Sequence, residues 1–248
     1  MAQPLNRYKA DLRDFRFLMF EQFQLQDLLS KEPFAEWGVD ECNMVLDEVY
    51  RFACDVTGPY NQIGDVEGCR IENGRVLTPT GFQQAWDKLW EAGWRTLSAP
   101  PELNGQGAPV TLSLLSEEFI SGSNPAFAMY PGLAMGAAEV IGHFGTDRQR
   151  KLYADKMTTG RWGGSMCLTL EPQAGSDVGS ATTTSAKRND DGTYSIKGTK
   201  IFISGGDSDL AENIIHLVLA RVEGAEAGTR AVAFHHAARP RQRRRGVA

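Results

Sequence analysis

Hydrophobic residues in the first 160 positions recur at the three- and four-residue spacing that is typical of amphipathic helices. The first stripe consists of Leu12, Phe15, Met19 and Phe23. Asp40 is predicted to cap a second helix, whose inward residues are Val45, Val49 and Phe52. Thr80 is predicted to cap a third helix, which ends at Gly93 and turns inward Phe82, Ala85, Trp86, Leu89 and Trp90. Three more helices are predicted: one over 110–120, one opened by Pro131, and one capped by Thr146 with Leu152 and Met157 inward.

From Trp162 onward the pattern changes to short β-rich segments separated by turns. Strands are predicted over 165–169, 181–187, 193–204 and 214–221, with a turn at Asn189–Gly192 and an interruption at Gly198. Helices followed by strands indicate an α+β chain rather than an alternating parallel fold. We therefore expect an all-helical domain over 1–160 and an incomplete antiparallel β-barrel-like middle domain over 161–234.

The last residues, 235–248, contain no apolar period and cannot complete a sheet. They carry five closely spaced arginines, Arg239, Arg241, Arg243, Arg244 and Arg245. A disordered basic tail is the common meaning of such a run. We favour a departure of the reading frame from its ancestral course near Phe234, because the β region stops in mid-sheet. An incomplete sheet with open edges also predicts poor solubility.

Charge and composition exclude several classes of protein. The chain has 248 residues, 42% of them hydrophobic, and a net charge of −5. Residues 232–248 contribute +5, so the first 231 residues carry −10. An acidic body argues against nucleic acid as the main partner.

Cysteine and histidine spacing gives no sign of a disulfide framework or a metal centre. The four cysteines lie far apart, and none of the four histidines has HExxH spacing. We therefore expect reduced thiols, no metal and a cytoplasmic protein. The most apolar stretch, 126–144, contains Glu139 and His143, so no membrane span is predicted, and the amino terminus is too polar for a signal peptide.

The stretch MCLTLEPQAGSDVG, residues 166–179, runs from a predicted strand into a glycine-containing turn. Backbone amides around Gly175 and Ser176, together with the serine hydroxyl, are suited to bind a pyrophosphate. A tight turn with no ligand is the alternative interpretation. Neither GxGxxG after a strand nor GxxxxGK[ST] occurs, so Rossmann and P-loop phosphate sites are not indicated.

The stretch GTKIFISGG, residues 198–206, is the second candidate. On a strand, Phe202 and Ser204 would point to the same face. An aromatic ring beside a hydroxyl suits a flat heteroaromatic ligand, whereas an ordinary strand with Ile201 and Ile203 in the core is the alternative.

Together these two stretches resemble the acyl-CoA dehydrogenase family. That family carries (M/Y)-x-(L/V)-T-E-P-x-A-G-S-D and then K-x-(W/F)-I-(T/S)-x-G, which appear in this chain as MCLTLEPQAGSD and KIFISGG. A third segment, at residues 143–164, is similar to the family's linker and reads HFGTDRQRKLYADKMTTGRWGG. The resemblance as a whole extends from residue 1 to about residue 233. GGDSDLAENIIHLVLAR is closer to the branch that includes 3-(methylthio)propanoyl-CoA dehydrogenase-like proteins.

The resemblance implies an FAD enzyme that converts a saturated acyl-CoA into a trans-2-enoyl-CoA. It implies flavin contacts from Met166, Leu168, Thr169, Phe202 and Ser204. It implies that Gly175 and Ser176 lie near the phosphates, with Ser176 also meeting the thioester arm. Tyr130 and Met129 are candidate pocket residues. The implied partners are an acyl-CoA, an electron-accepting flavoprotein and, in the full-length protein, further copies of itself.

Two departures from the family pattern bear on activity. Leu170 is one residue more than the family's T-E-P pattern has between its threonine and its glutamate. In a strand, one inserted residue turns the following side chains to the opposite face unless a β-bulge accommodates it. The family's carboxylate base lies in a C-terminal helical domain that this chain lacks, and no carboxylate of this chain matches it. Glu117 and Glu118 are interpreted as solvated helix charges. We therefore expect little or no activity from this chain alone.

Two other functions remain open from the sequence. An acyl-CoA oxidase would share the fold and the flavin and would pass electrons to oxygen. A non-catalytic, nucleic-acid-binding member of the superfamily is suggested only by the arginine-rich tail.

Overall fold

The structure, a computed structural model, describes residues 5–169 and 183–224 with their side chains, and the backbone of a strand over 230–236. Helices fill the first part of the chain, as the apolar stripes predict. They are α1 (Leu12–Arg16), α2 (Gln26–Leu29), α3 (Val39–Phe52), α4 (Asn61–Glu67), α5 (Phe82–Glu91), α6 (Val110–Ser123), α7 (Pro125–Phe144), α8 (Asp147–Gln149) and α9 (Asp155–Met157). Wider π-type turns follow α1, α3 and α8, at Phe17–Gln22, Ala53–Thr57 and Arg150–Ala154.

Helix α7 begins six residues earlier than the sequence predicts. The side chain of Asn124 accepts a hydrogen bond from the backbone N–H of Phe127, and Pro125 occupies the first turn. An asparagine cap followed by proline is a strong start signal. The prediction that Pro131 opens this helix is therefore wrong, and Pro131 lies buried inside it.

Predicted helix caps are confirmed in one case and wrong in two. Thr146 forms a capping box with Gln149, as predicted. Helix α3 is capped by Gly38 rather than Asp40, and α5 by Gly81 rather than Thr80.

Two residues predicted to face inward prove to be exposed, whereas their neighbours on the same stripes are buried. Phe23 and Leu152 are exposed, while Met19 and Met157 are fully buried. Both stripes pass through wider π-type turns at Phe17–Gln22 and Arg150–Ala154, which change the spacing of the faces.

The helical part also contains a β-hairpin, which corrects the expectation that it is all-helical. Strands β1 (Arg70–Glu72) and β2 (Arg75–Leu77) pair antiparallel. The turn between them has positive φ at Asn73 and Gly74, which suits Asn-Gly.

The second part forms a curled, mixed five-stranded sheet. Its strands are β3 (Trp162–Cys167), β4 (Ser185–Arg188), β5 (Tyr194–Lys197), β6 (Asn213–Val222) and β7 (Arg230–His236). Strand β6 is central: it pairs parallel with β3 and β4 and antiparallel with β7, while β4 and β5 are antiparallel. The predicted α+β fold with a barrel-like sheet in its second part is confirmed, but the sheet is mixed rather than purely antiparallel, because crossover connections make two of its pairings parallel.

Helices and sheet share a buried core where α7 lies on β3 and β6. It joins helix residues such as Ile141 and Met157 to Ile215 and Leu217 of β6. Gly164 of β3 allows this contact, because a Cβ there would lie 2.8 Å from the Met157 methyl and 3.0 Å from the Ala134 backbone. The proposed division of the chain at residue 160 stays a prediction.

Substitution of Gly164 by Ala is expected to lower the free energy of unfolding by about 1–3 kcal/mol, because the extra methyl overpacks the contact between α7 and β3. The measurement is urea denaturation of the purified variant. Gly163→Ala is the matched control, since a Cβ there meets its nearest atom at an ordinary 3.5 Å. Equal losses of unfolding free energy in the two variants would show that the close contact at Gly164 does not cause the destabilisation.

Candidate functional site

A small cleft lies where α5, α7, β3 and the loop before β6 meet. Its volume is about 10 Å³, which is room for about one water molecule, and it opens to solvent. Eight residues from these elements and from the start of β6 line it: Trp86, Tyr130, Gly163, Gly164, Gly205, Ser208, Ala211 and Ile214. Three glycines leave the space open, and the aromatic rings give it a largely apolar wall.

The described start of the first stretch, residues 166–169, lies beside the second stretch at the end of β3. The backbone N–H of Ile201 donates to the carbonyl of Thr169 at 3.3 Å. The ammonium of Lys200 donates to the carbonyl of Leu168 at 3.1 Å. These contacts join the MCLT segment (residues 166–169) to the KIFIS segment (residues 200–204) directly.

The KIFIS segment does not have the predicted conformation. Residues 199–203 form no strand, and Ser204 lies in a turn. Phe202 has a left-handed backbone with φ of 58°, and it is 81% exposed. The prediction that Phe202 and Ser204 share one face of a strand is therefore wrong. A non-glycine residue at positive φ with an exposed aromatic ring is a strained, unpacked arrangement of the kind found at functional sites.

Of the other residues predicted to contact the flavin, the structure describes three and leaves out two. Met166 is exposed, and Leu168 and Thr169 are half-buried. Gly175 and Ser176 lie outside the described residues, as does Leu170.

Tyr130 of α7 is the predicted pocket residue that lines the cleft. Its hydroxyl lies 3.6 Å from the Cys69 sulfur, and its ring lies against Gly205. Burial, followed by the contact with Cys69, raises the pKa of Tyr130, so the phenol stays protonated near neutral pH. Met129, the second candidate, is exposed and does not line the cleft.

Comparison with known proteins identifies the two parts of the chain. Residues 39–161 match the acyl-CoA dehydrogenase N-terminal domain, and residues 165–245 match the acyl-CoA dehydrogenase middle domain. The chain belongs to the acyl-CoA dehydrogenase family.

This chain is similar to an enzyme from Ruegeria pomeroyi and to several solved structures. The 3-methylmercaptopropionyl-CoA dehydrogenase of Ruegeria pomeroyi is 41% identical over 92% of this chain and 38% of its own length. The electron transferring flavoprotein structure from Acidaminococcus fermentans contains a chain 26% identical, with a TM-score of 0.55, over 72% of this chain and 43% of that one.

A Bacillus anthracis acyl-CoA dehydrogenase complexed with FAD has the same fold at 23% identity and a TM-score of 0.59, covering 81% of this chain and 31% of that one. The present chain spans less than half the length of the curated relatives that it matches.

An ion pair of the helical part was missed by the sequence analysis. Arg95 pairs with Glu117 of α6, and their side chains are only 13% and 30% exposed. The interpretation of Glu117 as a solvated helix charge is therefore wrong, whereas Glu118 is exposed. Burial lowers the pKa of Arg95 to about 10, which still leaves it charged. No local pattern signals this pair, because its members lie on different elements.

A second polar cluster lies on the face of β3 that is turned away from α7. The Ser165 hydroxyl lies 2.6 Å from Nδ1 of His216 on the neighbouring strand, and 3.6 Å from the Cys167 sulfur. Burial raises the pKa of Cys167, so its thiol is not activated as a nucleophile. We interpret the cluster as cross-strand bonding within the sheet.

The described part of the chain shows neither a metal site nor a membrane-spanning helix. No group of three or more histidine, cysteine or acidic residues there is arranged to hold a metal ion. Within the same residues, no helix combines the length and apolar character that crossing a bilayer requires.

Proposed function

We propose that this chain contributes to FAD-dependent α,β-dehydrogenation of an acyl-CoA thioester to a trans-2-enoyl-CoA. Family membership and the 41% identity to a named acyl-CoA dehydrogenase support this function. The observation that carries the proposal is the backbone contact between Thr169 and Ile201. It joins the two motif segments and leaves the Phe202 ring exposed beside them.

The described residues fit a flavin in their chemistry. Phe202 offers an aromatic face, Ser204 and Thr169 offer hydroxyls, and Met166 and Leu168 offer apolar contacts. An exposed phenylalanine leaves apolar surface in water, so a flat ring lying against Phe202 would remove an unfavourable exposure. Bound FAD would supply the hydride acceptor, while the protein supplies placement and polarity. Gly175 and Ser176 are proposed to lie near its phosphates.

The acyl-CoA is proposed to lie against the mouth of the cleft beside Tyr130, because the cleft itself has a volume of only about 10 Å³. The cleft is apolar, as an acyl chain requires, and Tyr130 and Ser208 are polar residues on its wall. Ser176 is proposed to meet the thioester arm.

The described residues supply no evident base for removal of the α-proton. None of the described residues that line the cleft is a carboxylate. Asp209, which follows Ser208 of the cleft wall, accepts two hydrogen bonds from Thr78, and Glu117 of α6 is paired with Arg95. We therefore propose that the base belongs to a part of the family fold outside this chain.

We also propose partners and a location for the protein. An electron-accepting flavoprotein is the proposed electron acceptor, consistent with the structure from Acidaminococcus fermentans. The full-length protein is proposed to be a homo-oligomer. A cytoplasmic location is supported by four cysteines that are all free thiols.

The proposed flavin contact is tested by replacing Phe202. Phe202→Ala is expected to raise the dissociation constant of FAD about tenfold, because an aromatic face contributes about 0.5–1.5 kcal/mol beyond its buried area. Phe202→Trp is expected to retain binding. The measurement is titration of FAD, followed by quenching of its fluorescence.

Phe144→Ala is the matched control, because Phe144 is 85% exposed at the end of α7 and has no role in the proposed site. The control should bind FAD as the unmodified chain does. Unchanged affinity in Phe202→Ala, or an equal loss in both variants, would remove Phe202 from the site.

A further inference from the structure

The loop over residues 205–211 carries part of the cleft wall and follows directly after Phe202 and Ser204. Gly205, Ser208 and Ala211 of this loop line the cleft. A Cβ at Gly205 would lie 3.3 Å from the Tyr130 ring, so this backbone already lies close to the ring. The position of the loop therefore sets the distance between the KIFIS segment and the tyrosine.

Asp209 joins this loop to Thr78, which directly follows the β1–β2 hairpin. Its Oδ1 accepts from the backbone N–H of Thr78 at 2.9 Å and from the Thr78 hydroxyl at 2.7 Å. A further contact, from the Val76 N–H to Asp207, is long at 3.4 Å. Hydrogen bonds to a charged acceptor are stronger than those between neutral groups.

The hairpin side of this contact also reaches the cleft. Cys69, which directly precedes β1, lies against the Tyr130 hydroxyl. Tyr130 is therefore held between Cys69 on one side and Gly205 on the other. The Asp209–Thr78 contact ties these two sides together.

We propose that Asp209 is a positioning residue: through Thr78 it holds the 205–211 loop against Tyr130 and so fixes the KIFIS segment in its binding geometry. The role in binding rests on the proposed function, because the ligand of the KIFIS segment is taken to be FAD. Asp209 itself lies outside the cleft wall.

The chain contains a matched control for this contact. Asp191, in the exposed turn between β4 and β5, accepts from the N–H of Thr193 at 2.9 Å and from its hydroxyl at 2.6 Å. The same two hydrogen bonds are thus made at a place with no contact to the cleft. Comparing Asp209→Ala with Asp191→Ala separates the loss of the bonds from their location.

The experiment measures two quantities on the complete 248-residue chain. The first is the rate at which the exposed Cys69 thiol reacts with dithionitrobenzoate, in the absence of FAD. The second is the dissociation constant of FAD. Asp209→Ala should raise both, the thiol rate at least about threefold and the dissociation constant about tenfold, since two charge-assisted bonds are lost. Asp191→Ala should change neither.

Two further variants keep the test decisive. Asp209→Asn retains an acceptor oxygen and should restore most of both values. Thr78→Val removes only the hydroxyl and should give an intermediate effect. This variant replaces Asp209→Ala if Asp209→Ala proves too unstable to purify. A wild-type thiol rate in Asp209→Ala and Thr78→Val would overturn the proposal. If the unmodified chain binds no FAD, the proposed function fails, while the thiol rates still decide whether Asp209 positions the loop.

Discussion

Turnover of an acyl-CoA by the isolated 248-residue chain is expected to be at least about 100-fold slower than turnover by a full-length relative, because loss of a general base commonly costs about 10²–10⁴-fold. Among the residues that the structure describes, none that lines the cleft is a carboxylate, and Glu117 and Asp209 are engaged by Arg95 and Thr78. The measurement supplies FAD, 3-methylmercaptopropionyl-CoA and an artificial electron acceptor to the purified chain, and follows reduction of the acceptor.

The full-length 3-methylmercaptopropionyl-CoA dehydrogenase of Ruegeria pomeroyi, assayed under the same conditions, is the reference for this rate. Both samples must be saturated with FAD, so that a difference in cofactor content does not imitate a difference in chemistry. Turnover by the chain within about tenfold of the reference would mean that a base is present among its own residues, and the expectation of a missing base would then be wrong.

Removal of the Glu117 carboxylate is expected to lower the free energy of unfolding by about 2–4 kcal/mol. Glu117→Ala removes the carboxylate that is paired with the buried Arg95 guanidinium, and breaking a buried pair in this way typically costs about 3–5 kcal/mol. The lower range is expected because the Glu117 side chain is 30% exposed and because the Glu139 carboxylate still attracts Arg95 in the variant. The measurement is urea denaturation of the purified variant beside the unmodified chain.

The surface pair of Arg161 and Glu212 provides the control, since its side chains are 56% and 51% exposed. Glu212→Ala should cost no more than about 1 kcal/mol, as exposed pairs do. Replacing both buried partners, as in Arg95→Met with Glu117→Leu, should recover much of the lost stability. A loss in Glu117→Ala no larger than that in Glu212→Ala would show that the pair is not important for stability.

The helices could be predicted from the sequence because each buries one stripe of side chains and the stripe repeats locally. Val45, Val49, Trp86 and Leu89 are buried on the faces expected of α3 and α5. The start of α7 was missed because Pro131 and Pro125 are both acceptable first-turn residues, and the Asn124 side chain decides between them.

The sheet was harder to predict because strand direction depends on the connections and not on the residues of each strand. Strand β6 was evident from its apolar run, but its parallel pairing with β3 is set by contacts about 50 residues apart. The left-handed backbone at Phe202 was also not predictable, because phenylalanine rarely adopts it.

The motif segments were found in the sequence, whereas the residues that support them were not. Thr78 and Asp209 are 131 residues apart, and Arg95 meets Glu117 across two elements. A threonine after a strand and an aspartate in a loop have many possible partners. Only the folded chain determines which of them meet.

The proposed function depends most on one flavin ring lying against the adjoining MCLT and KIFIS segments. The most direct measurement is a crystal structure of the chain prepared with FAD, after titration has established saturable binding of one equivalent. We expect isoalloxazine density in van der Waals contact with both Thr169 and Phe202. A folded chain that takes up no FAD, or a ring bound away from these two residues, would contradict the proposal.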